Sequence, residues 1–322
     1  MSFNVHLNAP EDLVTPYQQT RAGFLKIALE KNRYATPYIT EARALKAAVL
    51  RVNRPEELYD IVQVRPALLA AAGLSEKYLK HMTDDFEQEA ISNLIERFLK
   101  PAGEQFVDEL VFRFLLNRGD TLGGKMRNLA GKLAEQEFVR SIIGALAVQG
   151  QAFRWLDSAT RQWNQGRADD PNVEHQARGL YWRSEKGHRT LILNLGVPIV
   201  NKNIDLCLFD CSHHAFHAFS GKQRQAIQNN PPMYIALGEL KGGVDPAGAD
   251  EHWKTANTAL SRIRAAFAEE NVRPKLFFVG AAIVPSMARE IYGQLHAGAL
   301  ANAANLTVEE QLFALIDWLI AL

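Results

Sequence analysis

From residue 11 to about 149, apolar residues recur three and four positions apart, as in Val107, Leu110, Val111, Phe114 and Leu115, with almost none of a strand's strict alternation. That spacing lays one apolar stripe along each helix, so the first half of the chain reads as a helical layer, punctuated at Gly73, Pro101-Ala102-Gly103 and Gly119-Asp120. The pattern changes after Gly150. A polar stretch, 157–175, reads as a surface loop, and beyond it four apolar runs, 190–195, 205–209, 234–241 and 276–282, read as short strands bounded by Gly, Pro and Asn. Between the last two runs, 249–268 carries Trp253, Ala256, Leu260, Ile263 and Phe267 on one helical stripe. A strand, a crossover helix and a strand in that order predict a right-handed parallel connection, and helices near 286–295 and 307–322 close the chain. The expectation is an α/β protein: a helical domain over 1–150, then a mixed central sheet flanked by helices over 151–322, with an antiparallel element at its start.

Composition supports a folded chain, since 322 residues at 47% hydrophobic and 22% charged can bury a full core. The longest apolar stretches, such as 312–322, fall well short of the roughly 20 residues that cross a bilayer. The first residues lack the basic start and apolar run of a secretory signal, and two cysteines agree with a reducing compartment, so a cytoplasmic location with no membrane partner is expected. Lysine plus arginine balance aspartate plus glutamate at 36 each. There is no global basic excess, so any nucleic-acid surface must be local and the case for one must rest on a site.

The third strand ends in Gly238-Glu239-Leu240-Lys241. Side chains alternate along a strand, so Glu239 and Lys241 share one face while Leu240 points to the other. A carboxylate and an ammonium at the end of an apolar strand are costly without partners. Asp205 opens the preceding strand, and pairing of the two strands would bring it beside Glu239. Two carboxylates and a lysine suit phosphodiester hydrolysis. Asp205 and Glu239, with the backbone carbonyl of Leu240, are candidate ligands of Mg²⁺, which activates water and neutralises phosphate charge, and Lys241 would orient that water or stabilise the transition state. An E-x-K tripeptide alone is common in charged helices. An apolar strand ending in it, with an Asp on the preceding strand and a crossover helix behind, is the pattern of the D…(D/E)-x-K nucleases.

The run after Lys241, from Gly242-Gly243-Val244-Asp245-Pro246 through Asp250-Glu251-His252-Trp253-Lys254-Thr255 to Leu260, resembles the AvaI/BsoBI group of type II restriction endonucleases. The likeness extends to Arg21-Ala22-Gly23-Phe24, to Leu122-Gly123-Gly124-Lys125-Met126-Arg127-Asn128 and to Asn302-Ala303-Ala304-Asn305-Leu306-Thr307, nearly the whole chain. The resemblance implies a restriction-endonuclease-like fold and a bacterial homodimer that encircles double-stranded DNA. It further implies cleavage at a palindromic CYCGRG-like site leaving 5′ overhangs, and a cognate DNA methyltransferase in the same restriction-modification system. By the same resemblance Asp205, Glu239 and Lys241 match the catalytic residues, His252 matches a histidine that assists the attacking water, and Lys202 and Asp245 match residues that touch bases. The chemistry agrees for the last two: Lys donates to guanine O6 and N7, and Asp accepts from cytosine N4. The segment between Asp205 and Glu239, over 210–232, looks longer than the family pattern and is rich in histidine.

Other features compete. Cys207, Cys211, His213, His214 and His217 gather zinc-type ligands, but their spacing matches no zinc finger, so Cys207 is read as core and the histidines as loop residues. Gly119 to Lys125 nearly form a P-loop, which Met126 and the preceding helical pattern spoil; a helix start facing DNA phosphate, with Arg127, is the better reading of these glycines. Arg178, Arg183, Lys186, His188 and Arg189 face a single acid, Glu185, so Arg183 and Arg189 join Arg127 as candidates for the DNA backbone, in a segment that could equally be a solvated hairpin. Two alternatives to a restriction enzyme stand beside it: a structure-specific or repair nuclease of the same fold, and a catalytically silent DNA-binding protein.

Overall fold

The computed structural model describes residues 3–74, 83–216 and 226–322. The chain divides into two compact units, one of residues 25–129 and one of residues 1–24 with 130–322. Compactness therefore separates the chain at 129/130, where the sequence pattern changes only at 150, because the helix after residue 129 packs into the sheet unit's core.

The helical unit is built from most of α1 (Tyr17–Val49), from α2 (Arg65–Ala71) and α3 (Asp84–Leu94), and from α4 (Phe106–Arg127). Leu45 and Val49 of α1, Leu68 and Leu69 of α2, and Ile91 and Leu94 of α3 meet Phe106, Leu110 and Phe114, which lie four apart on one face of α4. α4 continues through Gly119, Gly123 and Gly124, which lie in its last turns. The expected phosphate-facing helix start is thus corrected. Each glycine costs only about 1 kcal/mol relative to Ala in a helix, and burial of Phe106, Leu110 and Phe114 anchors the turns before them.

In the sheet unit α5 (Leu129–Val148) precedes β1 (Phe153–Asp157), β2 (Trp163–Gln165), the single turn α6 (Val173–Gln176), β3 (Ala177–Ser184), β4 (Gly187–Val197), β5 (Lys202–Phe209) and β6 (Tyr234–Lys241). Then come α7 (Pro246–Glu269), β7 (Lys275–Gly280), α8 (Pro285–His296), β8 (Asn302–Asn305) and α9 (Glu309–Ile320). Among the described residues the strands form one mixed sheet in the order β2-β1-β3-β4-β5-β6-β7-β8. Pairing is antiparallel from β2 to β6 and parallel from β6 to β8. α7 and α8 cover one face: Trp253, Leu260, Ile263 and Phe267 pack with Cys207, Leu237 and Phe278. α5 and α9 cover the other, where Phe138, Ile142, Leu315 and Ile316 pack with Leu206, Ala236 and Phe277. The α/β fold with a mixed sheet flanked by helices is as the pattern predicts.

Four strands were not legible in the apolar pattern. The stretch read as a loop contains β2, which buries Trp163 and pairs with β1. β8 reads Asn-Ala-Ala-Asn, yet all four residues are buried, and Asn305 Nδ2 donates to the Leu13 carbonyl at 3.0 Å and to Thr15 Oγ1 at 2.8 Å. A polar side chain such as Asn305 can lie inside when its donors find acceptors.

Candidate functional site

β5 and β6 pair from Phe209↔Tyr234 to Leu206↔Gly238, and there the ladder stops, although β5 extends back to Lys202 and β6 on to Lys241. The strands part at the step where Asp205 and Glu239 would have faced each other. In the gap the Asp205 carboxylate replaces a ladder carbonyl: Leu240 N–H donates to Asp205 Oδ2 at 2.9 Å. A strand residue's N–H and C=O point to the same side, so the Leu240 carbonyl also opens toward this gap. Lys241 Nζ donates to Asp205 Oδ2 at 3.0 Å and to Glu239 Oε2 at 2.7 Å. The structure therefore brings together the three core residues that period-two geometry singles out.

The electrostatics are unbalanced. The Glu239 side chain is only 5% exposed, against 26% for Asp205 and 22% for Lys241. Burial, reinforced by the Asp205 charge, pushes the Glu239 carboxyl up to about 7, despite the counteracting Lys241 ammonium. Burial works against the Lys241 ammonium, but Glu239 and Asp205 outweigh it and hold its pKa above the ordinary lysine range. One ammonium cannot neutralise two carboxylates, so the centre has capacity for further positive charge. Two carboxylates and one carbonyl in an open gap fit a hard divalent cation such as Mg²⁺, which takes one or two carboxylates and keeps the rest of its shell for water and substrate. No group of three or more His, Cys, Asp and Glu side chains suited to a metal occurs among the described residues. Cys207 is fully buried in the α7-side core, as its place on a strand suggests, while His217 lies outside the described residues.

The centre opens into a cleft of about 530 Å³ between the β5–β6 gap and α7, lined by Lys202, Asp205, Glu239, Lys241, Lys254 and Arg262 among others. α7 starts sharply: Asp245 caps it, its carboxylate accepting from Ala247 N–H at 2.9 Å, with Pro246 in the first turn. Thr255, Thr258, Ala259 and Arg262 line the cleft at helical spacing, on the side of α7 away from the core stripe. Sequence reasoning read only the apolar stripe, and the complementary spacing was the signal for Lys254 and Arg262. His252 is exposed on the same side, three residues before Thr255, with Nε2 so close over Gly243 that a methyl group there would lie 2.8 Å away.

The other site residues fall into distinct positions. Lys202 lies at the start of β5, exposed and in the cleft wall. Asp245 is exposed and occupied as a helix cap. Arg183 is exposed on β3. Arg189 corrects the expectation of a phosphate contact, being only 3% exposed and donating to Asp210 at 2.7 Å, to the His188 carbonyl at 2.7 Å and to the Leu322 carbonyl at 2.8 Å. Its guanidinium is committed to holding the sheet unit together. The side chain of Arg127 lies outside the described residues.

The family model described as restriction endonuclease BsobI matches residues 3–322. The chain belongs to the BsobI restriction endonuclease family. Curated relatives include the type II restriction enzyme AvaI of Nostoc sp. and that of Anabaena variabilis, each 52% identical over 322 residues and 100% of both chains. The type II restriction enzyme BsoBI of Geobacillus stearothermophilus is 50% identical over 321 residues, covering 99% of this chain and 98% of its own. Membership of the BsobI family spans both compact units, so the helical unit belongs to the family pattern as much as the sheet does. No helix among the described residues is long and apolar enough to cross a membrane.

Proposed function

We propose that this chain is a type II restriction endonuclease that hydrolyses double-stranded DNA at a palindromic CYCGRG-like site with Mg²⁺. The observation that carries the reading is Lys241 Nζ bridging Asp205 and Glu239 in a gap that opens into a cleft where Lys202, Lys254 and Arg262 add positive charge. Duplex DNA is a polyanion, and a locally basic cleft offsets the neutral overall charge of the chain.

Asp205, Glu239 and the Leu240 carbonyl would hold the cation, which when bound supplies an activated water and shields the scissile phosphate. Lys241 keeps its proton at neutral pH, held by the two carboxylates, and donates from Nζ toward charge that develops on the phosphate. His252, exposed on α7 with Nε2 over Gly243, is assigned to accept the proton of the attacking water. Lys202 and Asp245 are assigned to bases, Lys202 from the cleft wall and Asp245 from the helix start. Arg183 is kept for the DNA backbone. The sheet unit is assigned the chemistry and the helical unit the holding of the duplex.

A palindromic site calls for a two-fold symmetric dimer. Large apolar side chains left exposed in the helical unit, Leu25 at 61%, Leu29 at 61%, Phe112 at 60% and Leu116 at 71%, support a homodimer. The reading is completed by a methyltransferase of the same specificity that protects the host's own DNA, in the cytoplasm of a bacterium.

Incubating the purified protein and Mg²⁺ with unmethylated plasmid tests this reading. Discrete bands with 5′ overhangs at CYCGRG-like sites are expected. Cleavage of branched or flapped substrates with the plasmid left intact would establish a structure-specific nuclease instead, and no cleavage of either would leave a DNA-binding protein.

A further inference from the structure

Asp205 lies at a second irregularity, on the side of β4. The β4–β5 ladder has bridged pairs at Leu193↔Leu206 and Leu195↔Ile204, but the pair between them, Asn194 opposite Asp205, is not bridged. Asn194 is left-handed, with φ 50°. That region is uncommon outside glycine, although Asn tolerates it better than most residues. The alternation slips here too. Ile192 and Leu195 lie three apart yet both pack into the α7-side core, as do Cys207 and Ile204, whereas Leu193 and Leu206 pack into the opposite core. Residues three apart on a regular strand face opposite ways, so both strands turn over at the Asn194–Asp205 step.

Two hydrogen bonds hold the turn. Arg178 Nη2 donates to the Asn194 carbonyl at 2.6 Å, and Asn194 Nδ2 donates to Glu135 Oε1 at 2.8 Å. Glu135 sits on α5, whose Ala130 and Ala134 close against Gly242, the residue after Lys241: a methyl group on Gly242 would lie 2.2 Å from the Ala130 carbonyl oxygen. The first turns of α5 thus back both halves of the centre.

We infer that left-handed Asn194, held by Glu135 and Arg178, is a positioning residue that aims the Asp205 carboxylate into the β5–β6 gap. Irregular strand pairs beside active sites re-aim a side chain in this way. The inference rests on the nuclease reading of Asp205. Its effect is to keep Oδ2 on Leu240 N–H and Lys241 Nζ before any cation arrives, so that the ligand set is formed in the metal-free protein.

The test uses the full-length protein and the variants Asn194→Ala, Asn194→Gly, Glu135→Ala, Glu135→Gln and Asp205→Ala. Amide exchange at Leu240 in the metal-free protein reads the Asp205 bond directly, with the Leu237 amide in the paired part of β6 as internal control. Asn194→Ala and Glu135→Ala are expected to speed Leu240 exchange about tenfold, raise the Mg²⁺ midpoint in a calorimetric titration and slow cutting about 10- to 100-fold at saturating DNA. The KM for DNA and Leu237 exchange should not move. Glu135→Gln keeps the acceptor and should behave as wild type. Asn194→Gly accepts φ 50° without strain and loses only the link to Glu135, so it should show the same loss even where Asn194→Ala folds poorly. Wild-type Leu240 exchange and cutting in Asn194→Gly and Glu135→Ala would overturn the inference, as would equal impairment of Glu135→Gln and Glu135→Ala. Asp205→Ala separates the two readings: if it cuts DNA, the nuclease assignment of Asp205 fails; if it is inactive while the Asn194 variants are intact, only the positioning role fails.

Discussion

At one end of the β5–β6 pair, Phe209 and Tyr234 face each other with ring centroids 4.5 Å apart, and Phe267 and Phe216 close over them at 5.0 and 4.9 Å. At the other end, beyond Leu206↔Gly238, the strands part and Asp205, Glu239 and Lys241 occupy the gap. The closed end removes apolar surface from water and stabilises the fold. The open end buries a carboxylate, which costs stability and is retained for its chemistry. A strand pair can carry both because the aromatic end sets register and leaves the far end free to splay.

The sharpest separation of the two ends is Glu239→Ala. Cutting should fall by more than about a thousandfold, since a metal ligand and a partner of Lys241 are lost together. Metal-free stability should hold or rise. A plasmid-cleavage time course with a parallel denaturant melt checks both, and loss of stability together with activity would erase the contrast. Phe267→Ala is the converse, expected to cost about 3–5 kcal/mol in a urea melt while the cutting rate, measured well below the transition, stays within a few-fold of wild type.

A smaller effect should appear with pH. The folded-state pKa of Glu239 is raised, from 4.5 to about 7, so the native state holds a proton that the unfolded state has released across that window. Stability from this group is therefore fully present below pH 4.5 and is lost as pH rises toward 7, by about 3 kcal/mol at 1.36 kcal/mol per unit. Glu239→Gln should remove that loss, being more stable than wild type at pH 8 and indistinguishable near pH 4.5. Thermal melts at both values without divalent cation decide it, and Mg²⁺ should raise the wild-type melting temperature more at pH 8 than at pH 6. The smallest change expected is for Gly242→Ala, whose methyl group would collide with the Ala130 carbonyl oxygen and with Ala134 Cβ at 2.6 Å. A loss of about 1–3 kcal/mol is expected from overpacking. Because Gly242 follows Lys241, the cutting rate should drop further than Phe267→Ala drops it, which would tie this backing to the open end.

Much of this was legible in the chain before any coordinates. The apolar runs marked β4, β5, β6 and β7, and the stripe from Trp253 to Phe267 marked α7, because a strand or helix buried on one side records its period locally. β1, β2, β3 and β8 were not read: β1, β2 and β8 run for only five, three and four residues, Arg178, Gly179 and Arg183 interrupt the apolar pattern of β3, and Asn305 looks like a loop residue until acceptors from residues 13 and 15 are placed beside it. Arg189 looked like a phosphate ligand in a basic segment, and nothing local reveals Asp210 and Leu322 converging on its guanidinium.

By itself the sequence determined that Glu239 and Lys241 share a face at the end of a strand and that a helix with one apolar stripe follows, because strand alternation and the helical period act within a few residues. The tertiary structure decided that β5 and β6 part at Asp205, that burial raises Glu239, that Arg262 and Lys254 reach the same cleft, and that Asn194 turns left-handed opposite Asp205. Desolvation, strand register and the closing of hydrogen bonds such as Asn194 to Glu135 join residues far apart in the chain, so no local period encodes them.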